Sequence, residues 1–578
     1  MRRKVTAIVT AACGLFAGHA AAQPAPPPPP APAPTGAAGE AVPPAPAPLP
    51  GPAPGAAAPD APAPDGPATA APPVPGDTDA EADDDEGFPP APPPPPDVFD
   101  EQDDGPALVG FHSGRLYIRD AKDDFRLYPG ARLRTDFNSF FGEGVTEQPE
   151  AVSGGALRPQ LALRRVRLEV SGEIMKRLAF TVGVELGGER VGEPGAGGDR
   201  PGSAAARFAA PRATNGRVQP AEVSVSYKFR PWLNVTVGQS NVAFSMQNRT
   251  REHLLPMMER ALGIRGFAVP HDKELGATVW GELPLKVIAY EYGIYNGDGP
   301  AQPGADLRAD FTGRIYARPL AFSGKSTFKR WFQIGVSARY GERQQSAVTY
   351  EHPSIATAQG FVMWLPRYED SLGRLTHVLP SGAQRSIGGE VRLPFDLPEG
   401  LGIDLRAEAY AVANNTREAV DGFELVSTER LGRVLGVGWY GEVDLWLCGD
   451  TFVDGEPGLW RPPTVDLSKD SESKHGLELV VTASGINATY DPAAREGSAD
   501  AAEPSAALTS YEIGGALQYW WGPNFRAAVN YLAYVAPHAG DRAQSHLLVA
   551  GNLATDDQGV PRAAEVSHEL GGRVAVTF

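Results

Sequence analysis

The sequence predicts an all-β protein: a 16-stranded antiparallel transmembrane β-barrel preceded by a disordered Pro/Ala-rich acidic tail. Three observations carry this. Apolar and polar residues alternate at period two from about residue 125 to the end of the 578-residue chain. The alternating segments run to roughly ten residues or more, the length a tilted strand needs to cross a bilayer, whereas strands of globular proteins centre on about five or six. The connections between them alternate between long and short, as in barrels with long extracellular loops and short periplasmic turns.

At the N-terminus, Arg2, Arg3 and Lys4 precede the apolar run Val5 to Phe16 and the small residues Ala20-Ala21-Ala22 before Gln23. This is the layout of a cleavable export signal, residues 1–22, and it is too short for a membrane anchor. Residues 23–110 are dominated by Pro and Ala. Within residues 5–110 there is no Lys or Arg but there are fifteen Asp or Glu, so the net charge of -18 is unevenly placed: the remainder, without Arg2, Arg3 and Lys4, holds 49 basic against 55 acidic residues. Such a segment cannot bury a core; it reads first as a solvated disordered tail and, as the functional alternative, as a semi-rigid spacer through the cell wall or a docking tail for a periplasmic partner. The barrel domain is then 111–578. No basic domain exists to neutralise phosphates in series, which excludes a nucleic-acid partner. Cys448 is the one cysteine left after Cys13 is removed with the signal, so a disulfide within the mature chain and a Cys-based metal site are excluded, and no HExxH or GxSxG pattern points to an enzyme. No cofactor is expected.

The pattern is clearest between Leu161 and Gly188, two strands joined by a tight connection around Ile174 to Arg177. Ala162, Val166, Leu168 and Val170 are assigned to one face of the first strand, Arg165, Arg167, Glu169 and Glu173 to the other. Sixteen strands follow at about 125–138, 160–173, 178–189, 221–229, 232–244, 274–283, 285–296, 308–318, 330–341, 385–395, 401–413, 434–447, 475–490, 509–521, 524–536 and 566–578. The connection 448–474 is long for a periplasmic turn. Trp232, Trp331, Trp439, Trp520, Trp521 and Phe525 gather near strand ends, where a membrane interface favours aromatics.

The inward register carries both signs of charge, with a concentration of arginine on the first two strands: Arg126, Arg132, Arg134, Arg165 and Arg167. Solvated ion pairs that keep the lumen wet are the bland reading; an anion path is the sharper one. The loop Ser245 to Asp272 adds Arg249, Arg251 and Arg260 next to the apolar run Leu254-Leu255-Pro256-Met257-Met258, which would leave water if the loop folded into the barrel.

Four stretches, LRRVRLEVSGEIMKRLAFTVGVELGG, VTVGQSNVAFSMQNRTREHLLPMMERAL, TSYEIGGALQYWWGPNFRAAVNYLAYVA and ELGGRVAVTF, resemble the phosphate-selective porin O and P family over about residues 125–578. The resemblance implies sixteen-stranded outer-membrane channels, typically homotrimers, that pass small anions or other hydrophilic solutes by lumenal Arg and Lys and an inward third loop. It implies lumenal roles for Arg165 and Arg167 and a constriction around Met257 to Arg260. Separately, the terminal aromatic Phe578 on the last strand resembles the signal by which outer-membrane barrels engage the barrel-assembly machinery. Where the family commonly has GQ-x-K-x-P-F, this chain has Gln239-Ser240-Asn241-Val242-Ala243-Phe244, without that lysine and proline. The expected setting is the outer membrane of a Gram-negative cell, in contact with its lipid. The alternatives are a structural or adhesive barrel gripping the cell wall through its tail and, further off, an outer-membrane enzyme.

Overall fold

The computed structural model describes residues 108–112, 114–141, 159–187, 218–265, 272–300, 308–323, 326–344, 355–358, 362–364, 367–369, 375–398, 401–420, 430–449, 475–492, 494–495, 506–535, 553–555, 561–563 and 566–578. The predicted signal, nearly all of the tail and the body of the 448–474 connection lie outside them.

Sixteen strands form the wall: β1 (Phe125–Phe141), β2 (Gln160–Ile174), β3 (Leu178–Gly187), β4 (Gln219–Arg230), β5 (Leu233–Asn241), β6 (Lys273–Glu282), β7 (Ile288–Tyr295), β8 (Asp310–Ala317), β9 (Gln333–Arg343), β10 (Leu375–Asp396), β11 (Gly402–Val420), β12 (Leu431–Cys448), β13 (His475–Asp491), β14 (Ala506–Trp521), β15 (Phe525–Val535) and β16 (Val566–Thr577). Each pairs antiparallel with the next, and β16 returns to β1 from His568↔Phe141 to Thr577↔Arg132, so the sheet closes on itself. All sixteen predicted strands are present. β10 and β11 run further than their hydrophobic pattern, pairing out to Thr376↔Val420 past an irregularity between Pro380 and Gln384.

Met175 and Lys176 join β2 to β3 with φ of 51° and 57°, positive at both central positions, and Arg177 N–H donates to the Ile174 carbonyl at 3.1 Å. That is the mirror-image turn whose twist matches a tight hairpin. Along β9, Ile334, Val336 and Tyr340 stay exposed on the outer face while Gln333, Ser337 and Arg339 are buried inside; along β14, Ile513, Leu517 and Trp521 are exposed while Glu512 and Gln518 are buried. Apolar-out and polar-in is the inverse of a soluble sandwich and suits a wall bathed in lipid.

Two expectations about faces are corrected. The pairing of β1 with β2 jumps from Arg134↔Arg165 to Thr135↔Leu163, leaving Arg164 as the extra residue of a β-bulge. Leu161 and Leu163, 74% and 61% exposed, therefore take the outer face, and Ala162 turns inward opposite Asp136. Trp520 is buried in the lumen, where its indole N–H donates to Glu478 at 2.7 Å and its ring lies 6.2 Å from that of Trp446; Trp521 keeps the outer face.

Candidate functional site: an inward loop and the arginines beside it

After β5 the chain turns into the barrel. Ser245, at φ 67°, caps the short helix α1 (Met246–Arg249) by accepting from Asn248 N–H, and the first helical N–H groups, of Met246 and Gln247, donate to the Glu408 carboxylate on β11 at 2.9 and 2.7 Å. Tyr440 donates to the same carboxylate at 2.7 Å. Orphan N–H groups at a helix start call for an acceptor, and the Glu408 carboxyl oxygens supply it. Around this anchor Val242, Phe244, Ala261 and Ile264 pack on Tyr295, Tyr410 and Tyr440, while Met257 and Leu262 join a second apolar cluster with Val412, Val434, Val480 and Leu532. The apolar run in the loop is thus removed from water.

The rest of the loop is tied to the far strands by charge. Arg265 pairs with Glu512 on β14 at 2.6 Å. Arg526 on β15 donates to the carbonyls of Pro256 and Met257 at 3.2 and 3.4 Å. Arg573 on β16 bonds the Met258 carbonyl and, at 2.9 Å, Glu259, which also lies 3.5 Å from the bulged Arg164. Burial alone would raise the Glu259 carboxyl, but Arg164 and Arg573 outweigh it and pull the group down to about 2.

Most of the predicted arginines gather where the loop meets β1 and β2. Arg165 contacts Glu252 of the loop and lies 3.4 Å from Glu185; Arg167 pairs with Glu185 at 3.1 Å, Arg132 with Glu169 at 3.0 Å, and Arg134 lies 3.9 Å from Glu252. Arg251 acts on Glu169 and His253 through its charge. With Arg164 and Arg573 the guanidiniums outnumber the carboxylates here, and Nη2 of Arg134 has no hydrogen-bond partner among the described residues. His253 registers the excess: burial first, then Arg132, Arg251, Arg134 and Arg115, hold its imidazole well below its usual range, so it stays neutral.

Three predicted residues lie apart from this cluster or are engaged elsewhere. Arg126 pairs with Asp123 in the preceding turn at 2.5 Å. Arg249 pairs with Glu291 on β7 at 2.7 Å, and Arg260 with Asp272 at 2.7 Å. Phe578 stands at the seam, its N–H donating to the Ala131 carbonyl at 3.0 Å and its carbonyl accepting from Ala131 N–H at 2.8 Å. Arg164 was not among the candidates, and Arg573, which the alternation of the last strand places facing the lumen, was not assigned to the anion path. The doublet Arg164-Arg165 was the available signal, because two adjacent charges in a period-two strand cannot share a face without a bulge.

Exposure inside the barrel is uneven among the described residues. The side chains of Arg314 and Arg339 are 0% and 2% exposed, and within the arginine cluster Arg134, Arg164 and Arg167 are buried as well, whereas Arg165 keeps 23% and Lys228 on β4 27%. Water therefore reaches the cluster at Arg165.

Residues 146–348 match the model of the phosphate-selective porin O and P family. The segment matched to this porin family contains β2 to β9, the inward loop, and Arg164, Arg165 and Arg167. Similar solved structures include OmpT, an outer membrane protein of Vibrio cholerae, at 7% identity over 79% of this chain and 98% of that one, TM-score 0.42. The outer membrane channel DcaP of Acinetobacter baumannii aligns at 11% identity over 80% and 99%, TM-score 0.38, and an anion-selective porin from Comamonas acidovorans at 10% over 78% and 100%, TM-score 0.34. No curated protein matches the chain.

Proposed function

We propose that the protein is an outer-membrane porin, a water-filled channel for passive diffusion of small hydrophilic solutes that favours anions. The observation that carries the reading is the cluster of Arg132, Arg134, Arg164, Arg165 and Arg167 beside the inward loop, where cationic groups outnumber anionic ones and Arg165 keeps 23% exposure. Fixed positive charge beside a narrow aqueous path raises the local concentration of anions and lowers their entry barrier.

The solute class we infer is small anions in general. The family lysine is replaced by Asn241, whose amide donates to the Asn248 carbonyl at 2.9 Å and so holds the loop in place of offering charge to a phosphate. We further propose that the barrel works as a homotrimer with the tail in the periplasm. The channel reading is tested by planar-bilayer recording: a reversal potential in asymmetric KCl of the sign for chloride over potassium is expected, and a cation-selective or electrically silent barrel overturns it, the silent outcome favouring the structural or adhesive role.

A further inference from the structure

We infer that the short hairpin ahead of β1 is seated in the inner leaflet of the membrane, packed on the acyl chains of phospholipids. This rests on the membrane reading above. Two strands, Val109–His112 and Arg115–Arg119, pair with each other from Val109↔Ile118 to His112↔Arg115, with Gly114 at φ 78° in the turn. The second strand joins β1 through Ile118↔Leu127 and Arg119↔Arg126. This edge of β1 is free because β16 stops at Phe578, level with Ala131, so the hairpin takes the place in the wall directly beyond the C-terminus. Asn524 in the β14–β15 turn clasps both pieces, donating to the Gly114 carbonyl at 2.7 Å and to the Thr577 carbonyl at 2.6 Å.

The hairpin inherits the two faces of the barrel. Tyr117 is buried against Tyr128 on the lumenal side. The opposite face presents Val109 and Phe111, each 59% exposed, and Leu116 and Ile118, each 37% exposed, in register across the two strands. These values match those of Phe125, Leu133 and Val574 on the outer face of the neighbouring strands, at 38%, 45% and 50%. Four large apolar side chains in one patch are expensive to leave in water, and this patch continues the lipid-facing band without a break. That continuity selects acyl chains as the occupant.

The test uses single cysteines introduced into the Cys448→Ser full-length protein, labelled with an environment-sensitive fluorophore and reconstituted in phosphatidylethanolamine–phosphatidylglycerol vesicles. Val574→Cys on the barrel exterior and Lys122→Cys in the turn serve as references, and heat-modifiable mobility verifies folding. Phe111→Cys and Leu116→Cys are expected to be quenched by acyl-chain doxyl lipids as strongly as Val574→Cys, and by aqueous iodide at least fivefold less than Lys122→Cys. Iodide quenching equal to that at Lys122→Cys overturns the inference by placing the hairpin in water. Protection from both quenchers overturns it too, because protein then covers the face. If Val574→Cys itself escapes the doxyl lipids, the membrane reading fails instead.

Discussion

Arg573 and Asp136, 437 residues apart, meet across the seam of the barrel in a two-pronged ion pair, Nε to Oδ1 and Nη2 to Oδ2, both at 2.7 Å. Both side chains are almost fully buried, and the same guanidinium reaches the Met258 carbonyl and Glu259 of the inward loop. One side chain thus joins the first strand, the last strand and the inward loop.

Replacing it leaves the buried Asp136 carboxylate without its partner and Glu259 with Arg164 alone. Arg573→Met is expected to destabilise the folded barrel by about 3–5 kcal/mol, the range for breaking one side of a buried pair. The denaturant midpoint for loss of heat-modifiable mobility reads this; a midpoint equal to the wild type would show that the pair contributes nothing net.

Arg165→Ala combined with Arg167→Ala removes two charges from the arginine cluster, one of them, Arg165, in reach of water. At low salt the anion-to-cation permeability ratio is expected to fall by about fivefold, equivalent to roughly 1 kcal/mol of aqueous Coulomb interaction. The difference should shrink at high salt, where the screening length drops to about 3 Å. An unmoved ratio would reduce these arginines to ion-pair partners.

Glu259 gives the loop an acid dependence of definite sign. Its carboxyl is held at about 2 in the fold against an ordinary value of 4.5, so its stabilising contribution is complete above 4.5 and is lost as pH falls toward 2. Open-channel current noise from loop motion is expected to grow as pH drops from 7 to 3, and Glu259→Gln should show the raised noise already at pH 7. Noise independent of both changes would detach Glu259 from the loop's stability.

Removal of residues 23–107 is expected to leave conductance unchanged, whereas removal of 23–119 should lower the folded fraction at least twofold, because it takes away the hairpin that Asn524 clasps. Equal folding of the two truncations would make the hairpin dispensable.

Deleting Phe578 removes both backbone bonds to Ala131 as well as an exposed terminal aromatic. Slower assembly in cells is expected, measured as the ratio of unfolded to heat-modifiable protein; an unchanged ratio would count against a role for the terminal residue.

Much of the wall was legible because a lipid-facing strand must alternate, and alternation survives in sequence without any knowledge of neighbours. Ile334-Gly335-Val336 and Glu512-Ile513 are read correctly on that ground alone. Where two like residues adjoin, period two gives no decision: Arg164-Arg165 is resolved by a bulge and Trp520-Trp521 by an inward hydrogen bond to Glu478, both of which depend on the partner strand. The loop's entry into the barrel was foreshadowed by its apolar run, but its anchors were not. Glu408, Glu512 and Arg526 stand 162, 250 and 270 residues from the loop groups they hold, and only the closed sheet brings them there. Arg249 and Arg251 look alike in sequence; their different partners follow from α1, which turns Arg249 toward β7.

The seam contact also ties two properties of the barrel to one group. The Arg573 guanidinium that bonds Asp136 across the first and last strands also holds Glu259 and the Met258 carbonyl of the inward loop. A change at this position therefore cannot loosen the closure of the ring without also loosening the loop, so the two must vary together in any sequence that keeps this fold.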